Sequence, residues 1–189
     1  MFATPASLEK RTGKTGLFRG AYLKQLVEEY ESLSQNDEKR LQVLANLGNF
    51  AYDPINYEYF RRFKVIDLFM NALREGEEIR TNCFALGAIC NLCLDPKNKE
   101  LLIANNIFEL ISACLTKRNL AEKISTLDEY EIELAANALM TFMFLLDETN
   151  KSAILANESL IEFIRKSSVS IDKRLANLAN LFLQDYCAL

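Results

Sequence analysis

The sequence predicts an all-α fold built from stacked helical repeats, and three observations carry that prediction. Helix breakers are scarce: 189 residues contain six Gly and three Pro, while helix-favouring Leu, Ala, Glu and Lys abound. Apolar residues recur at i, i+3 and i+4, the spacing of one helix face. One pattern, an apolar helix, an Asp-x-x-Asn corner, a short helix and a second apolar helix, returns three times along the chain.

The elements follow in order. Residues 1–19 carry Lys10, Arg11, Lys14 and Arg19 among Thr, Ser, Gly and Pro, which predicts a flexible basic tail. Helical spacing begins with Tyr22, Leu23, Leu26, Val27, Tyr30 and Leu33. Ser34-Gln35-Asn36-Asp37 then breaks the helix and offers N-cap chemistry to the next one. The repeats anchor on Asp53, Asp95 and Asp147, with Asn56, Asn98 and Asn150 three residues on. Seven residues after each Asp stands Phe60, Leu102 or Ile154, and sixteen after stands Phe69, Ile111 or Phe163.

The anchors are 42 and 52 residues apart. The first spacing falls in the roughly 40–47-residue class of armadillo and HEAT repeats. The second implies an insertion, placed at the polar stretch 116–129. The predicted architecture is a right-handed armadillo/HEAT-type superhelical solenoid of about three full repeats with partial units at its ends. It would occupy residues 20–189 as one domain, with repeat cores at about 36–74, 78–116 and 130–168 and a terminal helix at 171–187. Pro54 and Pro96 disfavour helical geometry at the preceding Asp, so Asp53 and Asp95 should end their helices. Asn56 and Asn98 are expected to cap the helices that follow. Such units cannot bury their apolar faces alone, so they stack, and the long helices line one curved face.

Composition removes several functions. With no His in the chain, the commonest general base and a frequent metal ligand are missing. A net charge of −4 does not mark a nucleic-acid binder, although a local basic patch could serve one. No signal peptide is read at the start and no apolar run is long enough to span a bilayer, so no membrane partner is expected. Five Cys with no leader suggest a reducing intracellular setting with thiols packed as small hydrophobes. Cys90-x-x-Cys93 lacks the further ligands zinc needs, and it falls where the preceding unit has Gly48 and Ala51. No nucleophile–base pair or phosphate loop is visible. An enzyme is not expected, nor any cofactor or metal.

The candidate functional residues are therefore binding residues. Asn49 and Asn91 share one register, four before the Asp; they either brace the stack or clamp a partner's backbone, since an amide both donates and accepts. On the predicted groove they are joined by Tyr52, Leu139, Met143 and Asn180. A second candidate surface is the aromatic and basic edge of Tyr57, Arg61 and Arg62, with Lys64 beside it. The pairs Lys97/Lys99, Lys117/Arg118, Arg165/Lys166 and Lys173/Arg174 are expected to be solvating.

Three stretches, VLANLGNFAYDPINYEYFRRFKVIDLF (43–69), AICNLCLDPKNKE (88–100) and RLANLANLFLQDYC (174–187), resemble the armadillo repeat-containing protein 7 family. The likeness holds its register over residues 20–187. It implies a nuclear scaffold of the minor (U12-type) spliceosome, in the nucleus first and the cytoplasm second. The implied partner is an RNA-binding motif protein 48-like protein with an RNA-recognition (RRM) fold, alongside other minor-spliceosome proteins. RNA would then be reached indirectly, by a monomer within a hetero-complex. Larger armadillo proteins hold localisation peptides with paired Trp and Asn. Here Ala45 and Gly87 stand four before Asn49 and Asn91, and the chain has no Trp. Two other functions stay open: direct RNA binding through the basic tail with Arg61, Arg62 and Lys64, or a generic armadillo peptide-binding adaptor.

Overall fold

The computed structural model describes Thr4, Ala6, Ser7, residues 18–35 and residues 37–187. Most of the predicted basic tail, including Lys10, Arg11 and Lys14, lies outside the described residues, as does Asn36. Helices α1 (Arg19–Ser32), α2 (Glu38–Ala51), α3 (Tyr57–Arg62), α4 (Val65–Glu75) and α5 (Ile79–Leu92) build the first half. Helices α6 (Pro96–Ala104), α7 (Ile107–Lys117), α8 (Glu129–Leu145), α9 (Lys151–Leu155), α10 (Glu158–Ser167) and α11 (Lys173–Phe182) build the second. No strand occurs among the described residues.

The Asp corners end α2, α5 and α8, but their capping differs from the expectation for Asn56 and Asn98. The Asp residues do the capping: Asp53 accepts from the Ile55 amide at 3.5 Å, and Asp95 accepts from the Asn98 amide at 3.0 Å. The Asn side chains of two corners reach backwards instead. Asn56 Nδ2 donates to the Phe50 carbonyl at 2.8 Å, and Asn150 Nδ2 to the Leu145 carbonyl at 3.0 Å. A helix leaves its last four carbonyls without intrahelical partners, and a side-chain amide three residues past the corner is placed to satisfy one. In the middle corner, buried Asn98 accepts from Arg61 of the preceding unit at 2.7 Å.

A second corner also repeats. Eleven residues after Asp53 and Asp95, Lys64 and Asn106 take left-handed backbone with φ of 54° and 57°. This turns the short helix into α4 or α7. Asn tolerates that geometry through local hydrogen bonding, whereas Lys pays a steric cost.

Packing follows from these corners. Helix α2 lies on α5, α5 on α8 and α8 on α11, which makes a layer of long helices. Helix α4 packs on both α5 and α7, while α1 covers α2 and α10 lies on α11. The repeated apolar positions Phe60, Leu102, Ile154, Phe69, Ile111 and Phe163 are all buried. Phe60 meets Phe69 edge-on at 6.2 Å, and Phe108 stacks on Phe142 at 5.8 Å. Each such side chain contributes about 1.5–3 kcal/mol by leaving water. Gly87 allows close approach of α5 and α8: a Cβ there would lie 3.2 Å from Asn137 Nδ2.

The stretch 116–129 is not simply a polar surface loop. Leu120 is fully buried, and Ala121, Ile124 and Leu127 pack against the core. Asp128 and Glu131 then close a reciprocal capping box at the start of α8.

Candidate partner-binding face

The corners do more than turn the chain; they bind one unit to the next. The residue four after each Asp, Tyr57, Lys99 or Lys151, reaches into the following unit. The Tyr57 hydroxyl donates to the Asn91 carbonyl at 3.0 Å. Lys99 Nζ lies 3.4 Å from the Phe144 carbonyl and 3.4 Å from Asp147 Oδ2. Lys151 Nζ sits 5.8 Å from the centre of the Tyr186 ring. The first two meet carbonyls at the C-terminal ends of α5 and α8, where uncapped carbonyls favour a donor or a cation, and the third meets a ring just past the end of α11.

This ladder absorbs two of the expected contact residues. Tyr57 is buried and spends its hydroxyl on Asn91, so it braces the stack and is not open to a partner. Arg61 directs Nη1 to Asp95 Oδ1 and to Asn98 Oδ1, each at 2.7 Å, and is committed to the same seam. Arg62 alone of that trio is exposed, with its guanidinium 5.8 Å from the Phe63 ring. The aromatic and basic edge therefore does not form one surface.

The groove residues also divide. Asn49 and Tyr52 are exposed at the C-terminal end of α2, and Asn91 is half-buried at the matching place on α5. Leu139 is fully buried in α8, so its expected role is corrected: it faces the helices that α8 packs between. Met143 is half-buried against the core, and its carbonyl accepts from the Tyr186 hydroxyl at 3.4 Å. Asn180 is exposed on α11, but its amide donates to the Ala176 carbonyl at 2.9 Å and the Ser168 carbonyl at 3.2 Å.

Two apolar residues outside the expected contact set are exposed near the same helix ends. Leu94 is 61% exposed and Phe144 44%, beside Tyr52 at 59%. Tyr52 and Leu94 occupy one register, immediately before Asp53 and Asp95, and Phe144 stands three before Asp147. The available signal was partial: Tyr52 and Leu94, directly before Asp53 and Asp95, are exposed, whereas Leu146, directly before Asp147, is buried. With Leu181 on α11 also exposed, every long helix offers one large apolar side chain at or near its C-terminal end.

The thiols are poor candidates for chemistry. Cys90 and Cys93 are both buried, and Cys93 sits just beyond the end of α5 with its thiol donating to the Ile89 carbonyl at 3.1 Å. Burial pushes the Cys83 thiol up to about 12 and raises those of Cys90, Cys93 and Cys114. A thiol in that range is protonated at neutral pH and is a weak nucleophile and ligand. No group of metal-binding side chains occurs among the described residues. A cleft of about 550 Å³ lies between the α1–α2 and α4–α5 corners, lined by Asp37, Glu38, Glu75, Glu77 and Glu78 with Arg40 and Arg80. None of the expected site residues lines it.

No family model matches the chain. It is similar to mouse (Mus musculus) armadillo repeat-containing protein 7, with 37% identity over 187 residues, covering 98% of this chain and 85% of the mouse protein. Likeness at that level across almost the whole length, on an all-helical stack with recurring corners, leaves one assignment: the chain belongs to the armadillo repeat-containing protein 7 family.

Proposed function

We propose that the chain is a non-enzymatic scaffold that docks a protein partner on the corner end of its long helices. The stack is read as one right-handed superhelical domain of about three armadillo repeats with partial units at either end, its long helices on the inner side. The observation that carries the docking role is the apolar row of Tyr52, Leu94 and Phe144, held out in water by helices whose other faces are buried. Exposed aromatic and aliphatic side chains near the ends of neighbouring helices are the usual kind of anchor at protein interfaces. Asn49 and Asn91 would flank the row as amides able to pair with a partner's backbone.

The partner's identity rests on the family likeness. We take it to be an RNA-binding protein of the RRM class, similar to RNA-binding motif protein 48, in the minor spliceosome of the nucleus. RNA contact would pass through that partner. Direct RNA binding is weakened as a reading because Arg61, the centre of the basic edge, is already spent on Asp95 and Asn98.

A pull-down and titration with a purified RRM-class partner tests this. Tyr52→Ala with Leu94→Ala should weaken binding at least thirtyfold, roughly the 2 kcal/mol of one interface anchor. Arg62→Ala should change little. Unaltered affinity in the double variant, with its melting temperature unchanged, would remove this face as the docking site.

A further inference from the structure

We infer that Ser168 is a phosphorylation site for a basophilic serine/threonine kinase, and that its modification loosens the corner joining α10 to α11. The segment reads Arg165-Lys166-Ser167-Ser168-Val169. It has two cations three and two residues before the acceptor hydroxyl and an aliphatic residue just after it. Kinases that select basic substrates read those cations with carboxylates and the following residue with an apolar slot.

The structure presents this segment at the surface, with Arg165 and Val169 exposed and Ser168 half-buried. Helix α10 ends at Ser167, and the chain then runs through an irregular corner where Val169 is 79% and Ile171 80% exposed. Arg165 is exposed and makes no ion pair among the described residues, so it is available to a kinase. Lys166 is shared between Glu122 at 2.7 Å and Glu162 at 3.0 Å, both surface pairs that exchange readily with solvent.

The neighbouring serines separate clearly. Ser167 is fully buried and cannot be the acceptor in the folded chain. Its hydroxyl has no hydrogen-bond partner, so opening the last turn of α10 returns that group to water and recovers its desolvation penalty. This lowers the cost of the local unwinding a kinase needs. Ser170 has cations only four and five residues before it. Ser168 must release its hydroxyl from the Arg165 carbonyl, a surface hydrogen bond of 2.7 Å.

In the reaction the Ser168 Oγ forms a bond to the γ-phosphorus of ATP. The bond from that phosphorus to the bridging oxygen breaks, ADP leaves, and the hydroxyl proton passes to the kinase base. The resulting phosphate stands at the C-terminal end of α10, the negative end of its dipole, where added negative charge is unfavourable. The Ser168 carbonyl also receives the Asn180 amide of α11. Fraying there would release α11, which carries Leu181 on the proposed docking layer; this second effect rests on that functional reading.

The test uses the full chain, ATP with magnesium, and the catalytic subunit of cyclic-AMP-dependent protein kinase. Intact mass should show one phosphate per chain, mapped to Ser168 by fragmentation. Ser168→Ala should abolish it, Arg165→Ala should slow it roughly tenfold or more, and Ser170→Ala should leave the rate unchanged. A synthetic peptide spanning residues 163–172 serves as control. Labelling of the peptide but not the folded chain overturns the claim of accessibility, and labelling of neither overturns the motif. Phosphate placed on Ser167 or Ser170 also refutes the proposal. The docking titration on phosphorylated protein separates the two readings, because Ser168 labelling stands whether or not partner affinity changes.

Discussion

Replacing Arg61 with Ala should destabilise the fold by about 2–3 kcal/mol, and the number can be assembled from its contacts. Arg61 Nη1 makes an ion pair of 2.7 Å with Asp95, and both side chains are about a quarter exposed (23% and 24%). Water screens such a pair, so its loss accounts for only about 0.5–1 kcal/mol. The larger part comes from Asn98, which is fully buried and accepts from the same guanidinium nitrogen. Without Arg61 that oxygen has no donor, and a buried unpaired acceptor costs about 1–3 kcal/mol. Urea unfolding should show a lower midpoint at unchanged slope, and the melting temperature should fall by roughly 4–12 °C for a chain of this size. A double-mutant cycle with Asp95→Ala separates the ion pair from the helix-capping role of Asp95, worth about 1 kcal/mol by itself. A loss below about 0.5 kcal/mol, or strict additivity in the cycle, would refute the seam reasoning. It would also return Arg61 to the surface as a residue free to bind a partner.

Two further outcomes are expected. Lys64→Asn should stabilise the chain by about 0.5–1 kcal/mol in urea melts, because Lys64 holds a left-handed backbone (φ 54°) that Asn adopts at the equivalent Asn106; a destabilised variant would show that the Lys64 side chain makes a contact worth more than the strain. Stability should fall as pH climbs from about 9 toward 12. The buried thiols of Cys83, Cys90, Cys93 and Cys114 keep their protons in the folded state above the usual thiol range, so the unfolded chain loses protons first. Alkylation of native protein near pH 8 should accordingly modify Cys187, the only one of the five that is not buried, well before the rest; fast native labelling of Cys90 or Cys93 would contradict the packing described.

The candidate face was only half legible in advance. Asn49 and Tyr52 could be placed because they lie close to a corner that the sequence marks unambiguously with Asp-Pro-x-Asn. Leu139 could not: apolar periodicity shows that α8 has a buried stripe, but α8 is packed by α5 on one side and α11 on another, and the stripe is wider than one face. Tyr57 looked like an anchor because it is aromatic beside Arg. Its hydroxyl instead found the Asn91 carbonyl, 34 residues away, and no local pattern announces such a partner. Leu94 was overlooked because an isolated Leu before a corner is indistinguishable from a core residue until the helix end is located.

By itself, the sequence determined what is local and periodic. It set the helical content, the three Asp corners with their Asn three residues on, and the buried positions seven and sixteen residues after each Asp. These depend on backbone geometry and burial within a unit, which repeat wherever the residues repeat. Only the tertiary structure decided how each unit meets the next. The commitment of Arg61 to Asp95 and Asn98, 34 and 37 residues away, and the packing that buries Leu139 between α5 and α11 arise between segments distant in the chain. Contacts of that kind are fixed by the mutual placement of helices, and a one-dimensional pattern does not encode which donor will lie within 3 Å of which acceptor.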